Sequence, residues 1–217
     1  MSADQGERAG RLRVTEVFSS LQGEAASQGR PTCFIRLTGC PLRCVYCDTE
    51  YAFTGGEWAG LGTLLERAAE AGLDHVCVTG GEPLAQPATP ELLRRLCDAG
   101  YAVSLETSGA LDVSAVDPRV TKVIDLKTPA SGEAGRNRYE NLQALAPADQ
   151  VKFVLCDRAD YDWAKETVAR YRLTERCEVL MTPAYGRLEP RTLAEWVLAD
   201  RLPVRFQIQL HKLLWGE

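Results

Sequence analysis

The chain has 217 residues, 45% of them hydrophobic and 25% charged, a composition typical of a globular protein with enough apolar material for one sizeable core. Its formal net charge is −5, and the dispersed lysines and arginines argue against a nucleic-acid partner. No apolar run approaches the ~20 residues of a membrane span, and residues 1–13 lack the apolar region of a secretory signal. We therefore expect one cytoplasmic domain over residues 1–217, with no membrane partner.

Predicted strands and helices alternate along the chain. The predicted strands are 12–19, 32–38, 74–79, 101–107, 121–127, 150–156, 177–182 and 204–211. The predicted helices are 63–71, 90–99, 139–145, 161–171 and 191–199. Repeated βα units predict a parallel sheet that curls toward a barrel. A complete eight-unit barrel takes ~250 residues, and this chain has about six or seven units, so we expect an α/β fold, a partial, open-sided (β/α) barrel.

Three cysteines follow the second predicted strand at the spacing C-x-x-x-C-x-x-C. Cys40, Cys44 and Cys47 therefore lie on one short loop. Structural zinc takes four protein ligands, as does an ordinary electron-carrying cubane cluster. Three thiolates instead indicate a [4Fe-4S] cluster with one iron left open to another ligand. The remaining five cysteines are expected to be small apolar residues of the core; they are Cys33, Cys77, Cys97, Cys156 and Cys177.

The predicted strands carry charged residues on one face. Because side chains alternate along a strand, these residues point away from the apolar face that packs on the helices. The residues of this polar face are Arg36, Glu106, Asp125, Lys127, Lys152, Gln209 and His211. Buried charges of both signs need each other or a polar ligand as partners. The pattern therefore predicts a polar ligand cavity. Residues 128–138 are polar or small and lie between a predicted strand and a predicted helix, so we expect them to form a loop on the catalytic face.

The sequence Gly80-Gly81-Glu82-Pro83 follows the predicted strand 74–79. Two residues without side chains expose backbone polar groups to a ligand, although the same four residues also suit a plain tight turn. Their position one βα unit after the cysteine loop favours the ligand site.

These motifs together resemble the radical S-adenosylmethionine (SAM) superfamily, through the three cysteines with Tyr46 beside the last and through the Gly-Gly-Glu-Pro turn. Within that superfamily the chain is similar to the 7-carboxy-7-deazaguanine synthases of queuosine and deazapurine biosynthesis. The segments that carry this similarity are 18–24 (FSSLQGE), 33–40, 47–49, 79–83, 106–109, 125–127 and 209–212.

The resemblance implies a [4Fe-4S] cluster on Cys40, Cys44 and Cys47, SAM, and Mg²⁺ with a hydroxyl ligand from Thr49. The residues implied for SAM are Tyr46, Gly80, Gly81, Glu82, Ser108 and Lys127. The residues implied for the substrate, 6-carboxy-5,6,7,8-tetrahydropterin, are Gln22, Glu24, Arg36, Thr79, Glu106, Gln209 and His211. Glu24 or Glu106 would accept the donors of the pterin edge, and one of the cations Arg36, Lys127 and Lys152 would pair with the pterin carboxylate.

The implied chemistry is reductive cleavage of SAM to a 5′-deoxyadenosyl radical, which abstracts hydrogen from C6 of the pterin. Ring contraction with loss of ammonia then gives 7-carboxy-7-deazaguanine, and the hydrogen returns to regenerate SAM. An electron donor such as flavodoxin or ferredoxin and a homodimer are also implied.

Two other functions fit the cysteine spacing. A glycyl-radical enzyme activase would share it, but the polar strand faces and FSSLQGE favour a small polar substrate. An iron-sulfur or zinc module without enzymatic activity is the other alternative, but His75 and His211, the two histidines of the chain, lack the spacing of a zinc finger.

Overall fold

The computed structural model describes residues 10–216, so that residues 1–9 and Glu217 at the ends of the predicted domain lie outside the described part. The strands are β1 Arg11–Leu21, β2 Pro31–Leu37, β3 Glu57–Gly60, β4 His75–Gly80, β5 Ala102–Thr107, β6 Thr121–Asp125, β7 Gln150–Leu155, β8 Glu178–Pro183 and β9 Arg205–Phe206. The α-helices are α1 Leu61–Ala71, α2 Thr89–Asp98, α3 Arg158–Tyr171, α4 Pro190–Asp200 and α5 Leu210–Trp215. None of the helices within residues 10–216 has the length and apolar character needed to cross a bilayer.

All nine described strands form one sheet in the order β3-β1-β2-β4-β5-β6-β7-β8-β9. Neighbours from β2 to β9 are parallel. Within residues 10–216 the two edge strands, β3 and β9, do not pair with each other, so the barrel stays open as predicted. The single-domain prediction for residues 1–217 stays a prediction.

One edge of the sheet differs from the predicted parallel arrangement. Strand β1 runs antiparallel to β2 and to β3, and the short strand β3 was not predicted. The connection between β1 and β2, residues 22–30, is short enough for a hairpin, whereas a parallel neighbour requires a crossover of a dozen or more residues. Only the strands from β2 onward have helices or long connections between them.

The sheet separates an apolar core from a polar interior. Side chains that face the helices, such as Ile35, Leu105, Ile124 and Phe153, are fully buried in the main hydrophobic core. Their neighbours along the strands face the inside of the barrel. Four of the five cysteines outside the predicted cluster motif are buried and Cys97 is half-buried, which suits the expected packing role.

Two predicted elements differ in part from the observed ones. The predicted strand 204–211 pairs with β8 only at Arg205 and Phe206. After Phe206 the chain leaves the sheet and forms hydrogen bonds with the loop 22–30. The Leu210 N–H donates to the Gly23 carbonyl (3.0 Å), and Gln28 Nε2 donates to the Ile208 carbonyl (2.7 Å). The predicted helix 139–145 forms as a 3₁₀ helix, Tyr139–Ala144, and not as an α-helix.

Candidate active site

A cavity of about 890 Å³ opens beside the carboxyl ends of the parallel strands, where barrel enzymes place their active sites. The predicted site residues that line it are Gln22, Glu24, Arg36, Cys40, Cys44, Tyr46, Cys47, Thr49, Thr79, Gly80, Gly81, Glu106, Ser108, Lys127, Gln209 and His211. Glu82 is the predicted site residue that does not line it. The cavity therefore brings the cysteine loop and the charged strand faces together.

The cysteine loop is fixed by the loop that follows β6. The Val45 N–H donates to the Ser131 carbonyl (3.0 Å), and the Arg43 N–H donates to Glu133 Oε1 (2.6 Å). These contacts place the loop 128–138 against the cysteine loop, whose residues Cys44 and Tyr46 line the cavity. They also hold the backbone that carries the three cysteines.

The three cysteines of this loop are half-buried. Burial raises the pKa of Cys44 to about 11 and raises the pKa of Cys40 and Cys47 above the ordinary value, so that binding a metal must displace thiol protons. Among residues 10–216 no three His, Cys, Asp or Glu side chains converge as ligands of a single ion would. The irons of a cubane occupy separate corners, so that three cysteines on one loop fit this group without converging on one point.

The glycine pair after β4 packs tightly against the start of the cysteine loop. A Cβ atom on Gly80 would lie 2.2 Å from the Leu37 carbonyl oxygen, and one on Gly81 would lie 2.3 Å from the Gly39 carbonyl oxygen. The Gly81 N–H also donates to Leu37 O (3.1 Å). Residues without side chains are therefore required here for packing, in addition to any contact with a ligand.

Glu82 was predicted to contribute to SAM binding as part of the backbone of the glycine turn, and its side chain points into the protein. It is 0% exposed, and its carboxylate accepts hydrogen bonds from the Leu84 N–H (2.9 Å), the Thr107 hydroxyl (2.9 Å) and the Ser108 N–H (2.7 Å). The Ser108 hydroxyl donates to it as well (2.5 Å). A buried carboxylate needs such donors. The same hydrogen bonds hold the turn after β4 against the end of β5.

Four charged side chains lie in a row inside the cavity. Lys152 Nζ lies 2.6 Å from Glu24 Oε2 and 3.5 Å from Asp125 Oδ2, and Lys127 Nζ lies 3.0 Å from the same Asp125 oxygen. Burial acts to raise the pKa of Asp125, but the two ammonium groups outweigh it and the pKa is lowered. Burial likewise opposes the charge of Lys127 and Lys152, and the neighbouring carboxylates outweigh it and raise both pKa values. The pKa shifts of Asp125, Lys127 and Lys152 therefore all favour the charged form.

Glu106 and Arg36, two further polar residues of the inner strand face, also have protein partners. Glu106 accepts from Gln22 Nε2 (3.1 Å) and from the Thr79 hydroxyl (3.0 Å). The Arg36 Nε donates to Glu16 Oε1 (2.7 Å). Glu16, which sequence reasoning missed, lies opposite Arg36 in the antiparallel register of β1 and β2. A register shift between Val14 and Glu16 turns Glu16 to the face opposite the core residues Leu12 and Val14, so alternation along β1 alone would not have placed it in the cavity.

The tail reaches the cavity at Gln209 and His211. Lys212 Nζ lies 3.1 Å from Asp48 Oδ2, and His211 Nε2 lies 4.0 Å from the same oxygen. The Thr49 hydroxyl donates to Asp48 Oδ1 (2.8 Å). Burial acts to raise the pKa of Asp48, but the bond from Thr49 and the charge of Lys212 outweigh it and lower the pKa. Sequence reasoning did not assign Asp48 or Lys212, although both lie in segments that it singled out.

The model of the Radical SAM superfamily matches residues 34–172, and the chain belongs to that superfamily. It is 45% identical over 208 residues to the 7-carboxy-7-deazaguanine synthase of Chlorobaculum tepidum, which covers 94% of each chain. It is 41% identical to the enzyme of the same name from Koribacter versatilis, over 94% of this chain and 97% of the relative. Within the superfamily, the chain belongs to the 7-carboxy-7-deazaguanine synthase family.

Solved structures share the fold. QueE from Escherichia coli superposes with a TM-score of 0.78 at 24% identity, over 97% of this chain and 99% of that one. Streptococcus suis SuiB bound to S-adenosylmethionine gives a TM-score of 0.57 at 11% identity, over 82% of this chain and 47% of that one. The matches do not favour the glycyl-radical enzyme activase.

Proposed function

We propose that this protein is a radical SAM lyase that converts 6-carboxy-5,6,7,8-tetrahydropterin to 7-carboxy-7-deazaguanine with loss of ammonia, in queuosine or deazapurine biosynthesis. The observation that carries the proposal is that one cavity holds the three cysteines of a cluster site together with cations and carboxylates suited to a small polar substrate. The relatives named 7-carboxy-7-deazaguanine synthase support the same reaction.

Cys40, Cys44 and Cys47 would hold the [4Fe-4S] cluster. When bound, SAM and the reduced cluster would supply a 5′-deoxyadenosyl radical to abstract hydrogen from C6 of the pterin. Lys127, beside the cysteine loop, offers a cation to the carboxylate of SAM, and Tyr46 packs at the same end of the cavity. The contribution of the protein is to hold the reacting atoms in line and to exclude water. Glu82 would act indirectly, by fixing Ser108 and the backbone of the glycine turn.

Glu24 is a better acceptor than Glu106 for the donor edge of the pterin. Both oxygens of Glu106 already accept hydrogen bonds from Gln22 and Thr79. Glu24 lines the cavity, and its Oε1 atom is buried without a partner in the part of the chain that the structure describes. An unpaired buried acceptor of this kind is favourable for a ligand that brings an N–H donor. Arg36 remains a candidate for pairing with the substrate carboxylate.

Thr49 is our candidate ligand for Mg²⁺. Its hydroxyl donates its proton to Asp48, which leaves the lone pairs of the oxygen available for a cation. Magnesium commonly keeps several waters and accepts one protein oxygen together with ligand oxygens, so that a single threonine is a reasonable protein contribution.

Two partners remain predictions from the family resemblance. Reduction of the cluster requires an electron donor, for which flavodoxin or ferredoxin is expected. A homodimer is expected for the same reason.

The test of the proposed function is turnover by the anaerobically reconstituted protein. After iron and sulfide have been incorporated, SAM, a reductant and 6-carboxytetrahydropterin are added, and the products are identified by mass. We expect 7-carboxy-7-deazaguanine and ammonia from the wild-type chain and neither from Cys44→Ala. Cleavage of SAM with the pterin left unchanged would contradict the proposal.

A further inference from the structure

Four charged side chains alternate in sign along the cavity. We call them the charge chain, and in order they are Glu24, Lys152, Asp125 and Lys127. Lys152 lies between the carboxylates of Glu24 and Asp125, and Asp125 lies between the ammonium groups of Lys152 and Lys127. Glu24 and Lys152 are each 7% exposed. Two positive and two negative charges balance, which is the condition for keeping them buried and ionised.

The charge chain joins the two ends of the cavity at which different ligands are expected. The charge of Lys127 acts on the thiols of Cys40, Cys44 and Cys47, so that this end lies at the cluster and SAM side. Glu24 belongs to the loop 22–30 and is two residues from Gln22, which bonds to Glu106. That end lies at the substrate side.

Both carboxylates of the charge chain have a spare oxygen. Glu24 Oε1 and Asp125 Oδ1 are buried without a hydrogen-bond partner among residues 10–216. An unsatisfied buried acceptor is unfavourable, so that a small shift of either lysine toward these oxygens, or a ligand donor at them, is favourable. The described arrangement is therefore one of several pairings open to the same four groups.

We propose that Asp125 is a positioning residue that couples the SAM site to the substrate site through Lys127 and Lys152; this inference rests on the proposed function. A ligand carboxylate at Lys127 draws that ammonium group away from Asp125. The Asp125 carboxylate then pairs more closely with the Lys152 ammonium group, and the ion pair between Lys152 and Glu24 weakens. Both oxygens of Glu24 become available to the N–H donors of the second ligand.

Such coupling is reciprocal, because each ligand must change the affinity of the other by the same factor. Charges in a poorly solvated cavity interact strongly, so that a rearrangement at one end of the charge chain changes the binding affinity at the other end. We expect SAM and the pterin each to tighten the other by about 5- to 150-fold, the usual range for coupled sites.

Binding measured without chemistry tests this coupling. In the cluster-reconstituted protein without reductant, titration calorimetry gives the Kd of SAM with and without saturating 6-carboxytetrahydropterin, and the Kd of the pterin with and without SAM. The coupling factor is the ratio of the Kd of one ligand without the other ligand to its Kd with it. For the wild-type chain we expect a factor of about 5 to 150. In Asp125→Asn both ligands should still bind, with a coupling factor near one.

A buried pair outside the cavity provides the matched control. Lys122 Nζ lies 2.9 Å from Asp149 Oδ2, with both side chains buried, at the other end of β6 and β7. Asp149→Asn therefore removes a buried carboxylate beside the same two strands and should lower stability without changing the coupling factor. The double variant Asp125→Asn with Lys127→Gln keeps the charges balanced, and it should also lose the coupling if Asp125→Asn alone does not fold.

The outcomes separate the two proposals. A wild-type coupling factor near one, or a factor that Asp125→Asn or the double variant retains, would overturn the coupling while both ligands still bind. An equal loss of coupling in Asp149→Asn would show that any lost buried charge has this effect, and would overturn the role of Asp125. A wild-type chain that binds SAM but not the pterin would overturn the proposed function, and the coupling with it.

Discussion

The imidazole of His211 packs directly against the backbone of Gly23, where a Cβ atom would lie 2.1 Å from His211 Nδ1. The Gly23 carbonyl also accepts the Leu210 N–H (3.0 Å) at the start of α5. Gly23 lies between Gln22 and Glu24, which both line the cavity. The loop after β1 and the tail therefore fix each other at the substrate side of the site.

Replacing Gly23 by alanine should displace the His211 ring, since overpacking of this kind typically costs about 1–3 kcal/mol. We expect a raised KM for the pterin, with iron content and SAM binding unchanged. Gly62→Ala is the matched control, because a Cβ atom on Gly62 meets nothing within 4 Å. A pterin KM that does not change in Gly23→Ala would show that the packing of His211 is unimportant for the substrate.

The tail itself can be tested by His211→Ala and, separately, by deletion of residues 214–217. Both changes should weaken pterin binding, by about 1–3 kcal/mol for a lost buried hydrogen bond, and both should spare iron content and SAM binding. Equilibrium binding of the pterin is the measurement. Unchanged affinity in both variants would remove the tail from the site, and loss of iron would give it a structural role instead.

Cys40, Cys44 and Cys47 should each be indispensable for the cluster. We expect Cys44→Ala to lack a full [4Fe-4S] cluster after reconstitution, because it removes one of three thiolates. Cys33→Ala, at a fully buried core position, should keep its iron and lose stability only. The measurement is iron and sulfide content per chain, and a full cluster in Cys44→Ala would refute the ligand assignment.

Thr49→Ala should keep the cluster and SAM binding while weakening the magnesium dependence of turnover. The change removes the hydroxyl together with the γ-methyl group, so that one oxygen ligand is lost with little side-chain volume. Turnover is measured over a range of Mg²⁺ concentrations. A response equal to that of the wild-type chain would leave Thr49 as a residue that merely bonds to Asp48.

The sequence predicted the parallel part of the fold and the composition of the cavity because both follow from local periodicity. Alternation within single strands placed Arg36, Glu106 and Lys152 on the inner face, and the structure has them there. The cysteine loop was found from spacing alone.

Contacts distant in sequence were not predictable in this way. The alternation over residues 204–211 suits a strand, but hydrogen bonds from the loop 22–30 take the chain out of the sheet. The internal role of the Glu82 carboxylate was not predicted, because three of its four donors belong to Thr107 and Ser108, which are distant from it in sequence. Lys212 was missed because its place in the site depends on its ion pair with Asp48, which is far from it in sequence.

The most direct test of the central claim is deuterium transfer from 6-carboxytetrahydropterin labelled at C6. The reconstituted, reduced protein is incubated with this substrate and SAM, and the masses of the product and of the recovered SAM are determined. We expect 7-carboxy-7-deazaguanine to form and deuterium to accumulate in SAM, because the hydrogen leaves C6 and returns through the cofactor. Product formation with no deuterium in SAM or in 5′-deoxyadenosine would contradict abstraction at C6, and with it the reaction assigned to this cavity.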